Sequence, residues 1–138
     1  MPGLQDFPGD QLVDAQFVGG LTAGTAKESP LMRVPFRCTI TAVEFIPDTT
    51  VTGTATNFFT LNVRNRTAAG AGTAVPASLA YSSGGVATVA QVPQSLPLSA
   101  TATDMVCQAG DVITVEKAVT GTGLACPAGV VVVHLKAS

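Results

Sequence analysis

In Asn57-Phe58-Phe59-Thr60-Leu61-Asn62-Val63-Arg64-Asn65-Arg66 apolar and polar residues alternate from Phe59 to Arg64, with Phe59, Leu61 and Val63 facing one way and Thr60, Asn62, Arg64 and Arg66 the other. A period of two over this length marks a β-strand with one face in a core and one in water. Upstream, residues 36–46 repeat the pattern: Phe36, Cys38 and Ile40 alternate with Arg37, Thr39 and Thr41. The phase then slips, because Val43 and Phe45 carry the apolar side onward. One extra residue in the strand, a bulge near Ala42, produces such a slip. Pro47-Asp48-Thr49-Thr50 ends the strand as a turn, and 31–34 reads as a short strand stopped by Pro35.

Downstream, 105–108 reads as a strand, Ala109-Gly110-Asp111 as a tight turn supported by Asp111, and 112–119 as a strand with Ile113 and Val115 opposite Thr114 and Glu116. After loops at Gly121-Thr122-Gly123 and Pro127-Ala128-Gly129, residues 130–135 place Val131, Val133 and Leu135 on one face and Val130, Val132 and His134 on the other. Residues 86–92 alternate as well, with neither face strongly polar, which predicts a strand covered on both sides. No stretch beyond residue 28 has a helical period. About seven or eight strands separated by Gly, Pro, Asn and Asp predict an all-β protein, an antiparallel sandwich or barrel. With 138 residues there is room for one core, and the β domain, as distinct from the N-terminal stretch, is expected at 29–138.

Residues 1–28 differ. They hold Asp6, Asp10, Asp14 and Glu28 against one Lys27, with scattered Gly and Pro. They read as an extended N-terminal arm. Its apolar residues, Leu4, Phe7, Leu12, Val13 and Phe17 with Val18 and Leu21, are too many for a solvated tail. Such an arm docks onto its own domain, a sister subunit or a larger partner. Leu4, Phe7, Leu12, Val13 and Phe17 are the candidate contact residues. The three aspartates, spaced four apart, read as solubility of the arm and not as a metal site.

Ala, Thr, Val and Gly supply 70 of the 138 residues, while charged residues are 12 % and the formal charge is -2. Nothing here offers the clustered Lys and Arg that a nucleic-acid backbone requires. Mean hydropathy is +0.42, yet no apolar run approaches the roughly 18 residues of a membrane span. No partner of either kind is expected. The N-terminus shows no positive region followed by an apolar one, which predicts synthesis and retention in a cytoplasm. In that setting the Asn65-Arg66-Thr67 sequon is a chance match. Cys38, Cys107 and Cys126 are odd in number, widely spaced and without a CxxC pair, and so read as small buried hydrophobes.

Catalysis needs titratable groups that converge. One histidine, His134, cannot build a multi-histidine metal site, and no HExxH, GxSxG or phosphate-binding glycine loop is present. A glycosidase pair could be drawn from Glu44, Asp48, Asp104, Asp111 and Glu116, but with no Trp and one Tyr the platforms that hold sugars are nearly missing. The chain is expected to be no enzyme and to carry no cofactor. The most unusual feature is 67–103, 37 positions without a charged residue. Part of it, 68–73, reads as low-complexity loop; the rest reads as surface that is covered in the working state.

Cys38-Thr-Ile-Thr-Ala-Val-Glu-Phe-Ile-Pro47, the 57–66 strand, Ala109-Gly-Asp-Val-Ile-Thr-Val115 and Pro127-Ala-Gly-Val-Val-Val-Val-His-Leu135 together resemble the jelly-roll-like domains of tailed-bacteriophage virion proteins, in particular the small head decoration (cement) proteins. The similarity spans 30–138. It implies a jelly-roll-like sandwich that oligomerises, often as a trimer, on the outside of an assembled capsid. A terminal arm would grip the major capsid protein, and no catalytic residue would be carried. A receptor-binding or fibre-tip module of a virion appendage is the alternative that the same pattern allows.

Overall fold

The computed structural model describes residues 10–17 and 20–137, with side-chain surroundings from residue 20 onward. Eleven strands are found among them: β1 Asp10–Phe17, β2 Lys27–Arg33, β3 Cys38–Pro47, β4 Val51–Thr52, β5 Phe58–Asn65, β6 Ala74–Ala80, β7 Ala87–Thr88, β8 Gln94–Ser95, β9 Val106–Cys107, β10 Val112–Thr120 and β11 Gly129–Ala137. The first sheet runs β1-β11-β3-β8, with β9 also bonded to β3; the second runs β2-β10-β5-β6; β4 and β7 form a small pair. All pairings are antiparallel. Counting β8 and β9 as one interrupted strand, the two four-stranded sheets have the strand order of a jelly roll. The expected all-β sandwich is thus the observed one.

The decisive stretch behaves as its pattern requires. In β5, Phe59, Leu61, Val63 and Asn65 are buried and the residues between them are partly exposed. Facing them from the first sheet are Ile40, Val43, Phe45, Val131, Val133 and Leu135, each at most 1 % exposed. The phase slip in β3 is a bulge. Against β11 the register steps from His134↔Ala42 to Leu135↔Ile40, leaving Thr41 as the extra residue, so that Ile40 and Val43 both point inward. The predicted turn at 109–111 is also present. Gly110 takes φ +91°, and the Asp111 carboxylate accepts the Gln108 backbone N–H and the Asn65 side-chain amide, each at 2.9 Å.

Two readings need correction. Only Ala87–Thr88 of 86–92 is strand. Gln91 turns to φ +65° and the Val92 N–H closes onto the Val89 carbonyl at 3.0 Å, so the alternation is broken by a turn. Conversely, β6 has no counterpart among the expected strands, and β2 begins before the expected 31–34. Each contains a proline, Pro76 and Pro30, that argues against a strand by sequence alone. Both occupy sheet edges, and both lie at register shifts, where an absent N–H costs nothing.

Within the stretch read as an arm, β1 is a full strand. It pairs with β11 from Asp10↔Lys136 to Phe17↔Gly129. Leu21 then makes a bridge to Cys126, and Lys27 and Glu28 already belong to β2.

Candidate attachment surface

Residues 86–107 close one side of the sandwich. Gln94 and Ser95 pair with Phe45 and Glu44, and the Leu96 N–H reaches the Val43 carbonyl at 2.9 Å. The chain then crosses to the other sheet. Leu98 bridges Ala77, Pro97 accepts the Ser78 N–H at 3.1 Å, and Ser99 donates to Pro76 at 2.8 Å. It returns through a 3-10 turn, Ala102–Met105, to place β9 on β3. The segment therefore covers the free edges of both β3 and β6, which would otherwise offer unpaired backbone groups.

Its residues 86–103, the rim, lie inside the charge-free 67–103, and Asp104 follows them. The rim carries Val89, Val92 and Leu98, 50 %, 48 % and 38 % exposed, which are the exposed large hydrophobics among the described residues. Pro93, Ser95, Pro97 and Ala100 are exposed around them. An apolar run flanked by uncharged groups is cheap to dehydrate. It has no ion to strip of water.

The outer face of the second sheet has the opposite character. Arg66 grips Glu28 with two hydrogen bonds of 2.6 and 2.5 Å, and the Thr114 hydroxyl donates to the same carboxylate at 2.6 Å. Beside it Arg64 donates twice to Glu116, at 3.1 and 2.9 Å, Asn62 donates to Glu116 at 3.0 Å, and Ser78 donates to Asn62 at 2.6 Å. The ladder crosses all four strands and leaves its charges paired. Covering it with a partner would cost desolvation of ions already satisfied. On the first sheet, His134 and Glu44 meet at 2.7 Å.

The ladder sets an acid limit. Hydrogen bonds from Arg66, followed by that from Thr114, outweigh burial and hold the Glu28 carboxyl at about 2, below its ordinary 4.5. A depressed carboxyl contributes stability that is complete above 4.5 and lost as pH falls toward 2. Glu28→Gln is expected to lower Tm at neutral pH and to leave a shallower decline across that window in acid-series calorimetry. Parallel declines of the two proteins would contradict this role of Glu28.

The carboxylates considered for catalysis are dispersed and engaged. Glu44 holds His134, Asp48 accepts the Thr49 hydroxyl at 2.8 Å, Asp104 accepts the Ser99 hydroxyl at 2.6 Å, Asp111 supports its turn and Glu116 belongs to the ladder. An open groove of about 310 Å³ between Leu21, Asp48, Val51, Cys126 and Pro127 contains one of them, Asp48. Among the described residues no group of three or more His, Cys, Asp or Glu side chains is placed to hold a metal ion.

Of the candidate contact residues, Leu12, Val13 and Phe17 stand in β1 opposite His134, Val133 and Gly129. Leu4 and Phe7 lie outside the described residues. One residue that sequence reading passed over is Lys117, fully buried in β10. Its ammonium donates to the Thr22 and Ala23 carbonyls at 2.7 and 3.1 Å and lies 5.9 Å from the centre of the Phe59 ring. It ties the chain after β1 to the second sheet. The signal was available, because Lys117 continues the apolar positions Ile113 and Val115.

No protein-family model, curated protein or solved structure matches the chain.

Proposed function

We propose that this chain is a structural virion protein, a head decoration protein that attaches to the outside of an assembled tailed-phage capsid and stabilises it. The observation that carries the reading is the rim: an uncharged segment closing the sandwich, with the exposed large hydrophobics gathered on it. The jelly-roll strand order and the charges paired on the second sheet agree with attachment through the rim. The molecule's whole surface is 6693 Å², whereas a standard specific contact takes roughly 800 Å² from each partner. Three side chains cannot supply that, so the rim acts as a unit, against sister copies in a trimer and against the major capsid protein.

Attachment that favours the assembled shell over its dissociated parts stabilises it by mass action, with no bond made or broken. Many copies act at once. Purified protein added to expanded heads that lack it, from the phage that encodes it, is expected to bind to saturation and raise the temperature at which the heads disrupt. An unchanged disruption temperature at saturating protein would overturn the proposal.

A further inference from the structure

Cys38 and Cys107 are 69 positions apart in the chain, yet the roll sets them directly opposite each other in the β3–β9 pairing. Both are 0 % exposed, so both side chains lie on the inward face, where the Cys107 thiol donates to the Met105 carbonyl at 3.7 Å. Directly opposed residues of an antiparallel pair have Cα atoms about 4.5 or about 5.5 Å apart, and either value falls inside the roughly 4.4–6.8 Å that a disulfide spans. Their Cβ atoms, at about 4.5–5.5 Å in such a pair, need to close by up to about 1 Å. A two-residue strand at a sheet edge can move that far. Cys126 is placed differently, at the Leu21 bridge with its thiol toward the Pro127 carbonyl.

We infer that Cys38 and Cys107 are a latent cross-strand disulfide, closed by a low-molecular-weight disulfide oxidant, which fastens β9 and the end of the rim to β3. The reaction is two exchanges. One thiolate of the pair attacks oxidised glutathione, forming a mixed disulfide and releasing one glutathione thiol. The other then attacks the mixed disulfide, forming the Cys38–Cys107 bond and releasing the second glutathione. The two protons given up by the protein end on the two glutathione thiols. Burial raises the pKa of both cysteines, which keeps them inert until β9 opens. Exchange is therefore paced by local opening at the sheet edge. The bond closes a long loop and leaves the rest of the roll untouched. The inference holds whether or not the rim binds a shell.

The test uses the reduced, folded protein incubated with oxidised glutathione, followed by alkylation of remaining thiols and tryptic mass mapping. Cleavage after Arg37, Arg64, Arg66, Lys117 and Lys136 puts the three cysteines on separate peptides, 38–64, 67–117 and 118–136. The expected result is peptide 38–64 joined to 67–117 with the loss of two hydrogens, Cys126 alkylated, and a Tm higher by about 5 °C or more that reductant reverses. Cys126→Ala should behave in the same way. Glutathione adducts without a cross-link, a link involving Cys126, or three thiols that remain alkylatable would each overturn the inference. So would an equal Tm rise in Cys38→Ala.

Discussion

Lys117→Ala is expected to reduce the unfolding free energy by about 2–4 kcal/mol, a large share of the roughly 5–15 kcal/mol that holds a domain of this size together. The side chain is fully buried. Truncation removes an aliphatic stem worth about 0.8 kcal/mol per methylene and leaves a cavity beside Phe59. It also takes the donor from the Thr22 and Ala23 carbonyls. Thr22 is exposed, so its carbonyl regains water, which keeps the cost near the lower end for that group. A further offset comes from the ammonium itself, whose pKa burial holds below its ordinary value, so its removal relieves a desolvation cost. Lys117→Met separates these contributions by restoring the stem without the donor, and should cost about 1–2 kcal/mol. Its effect should be concentrated in faster hydrogen exchange at residues 20–26. Denaturant unfolding and exchange of both variants check this. A Met variant as stable as the wild type, with unchanged exchange at 20–26, would show that the lysine anchors nothing.

The second large effect concerns association. Val92→Asp combined with Leu98→Asp is expected to weaken attachment to heads by at least about 100-fold while leaving Tm nearly unchanged. Val92 and Leu98 are 48 % and 38 % exposed, and substitutions at such positions usually change stability by no more than about 0.5 kcal/mol. In the attached state each new carboxylate would lie in an uncharged contact without a partner. An uncompensated buried charge costs about 3–5 kcal/mol, and 1.4 kcal/mol is a factor of ten in affinity. Two of them exceed the hundredfold loss with margin. Serine at the same positions removes apolar area without adding charge and should give a weaker loss.

Much of this architecture is legible in the residues because a half-buried strand repeats every two positions. Phe59, Leu61 and Val63 announce β5, and the slip between Ile40 and Val43 announces the bulge in β3 before any register is known. What stays hidden has physical causes. Pro76 and Pro30 argue against strands, and only the sheet order reveals edges where a missing N–H is harmless. Val86 to Val92 carries the right period, but periodicity cannot see a turn made by Gln91 at positive φ. The candidate attachment surface was half legible. The lack of charge in 67–103 marks the segment, while the exposure of Val89, Val92 and Leu98 depends on how it spans the two sheets. The opposition of Cys38 and Cys107 is a property of topology, and no spacing rule reports it. Lys117 could have been found by asking why a lysine follows Ile113 and Val115 on an apolar face.

The most direct measurement is a binding titration on expanded heads, made in parallel with wild-type protein and with the Val92→Asp, Leu98→Asp variant after their Tm values have been matched. Attachment through the rim predicts saturable wild-type binding and loss of binding in the variant. Equal binding by both, or no binding by the wild type, would contradict it.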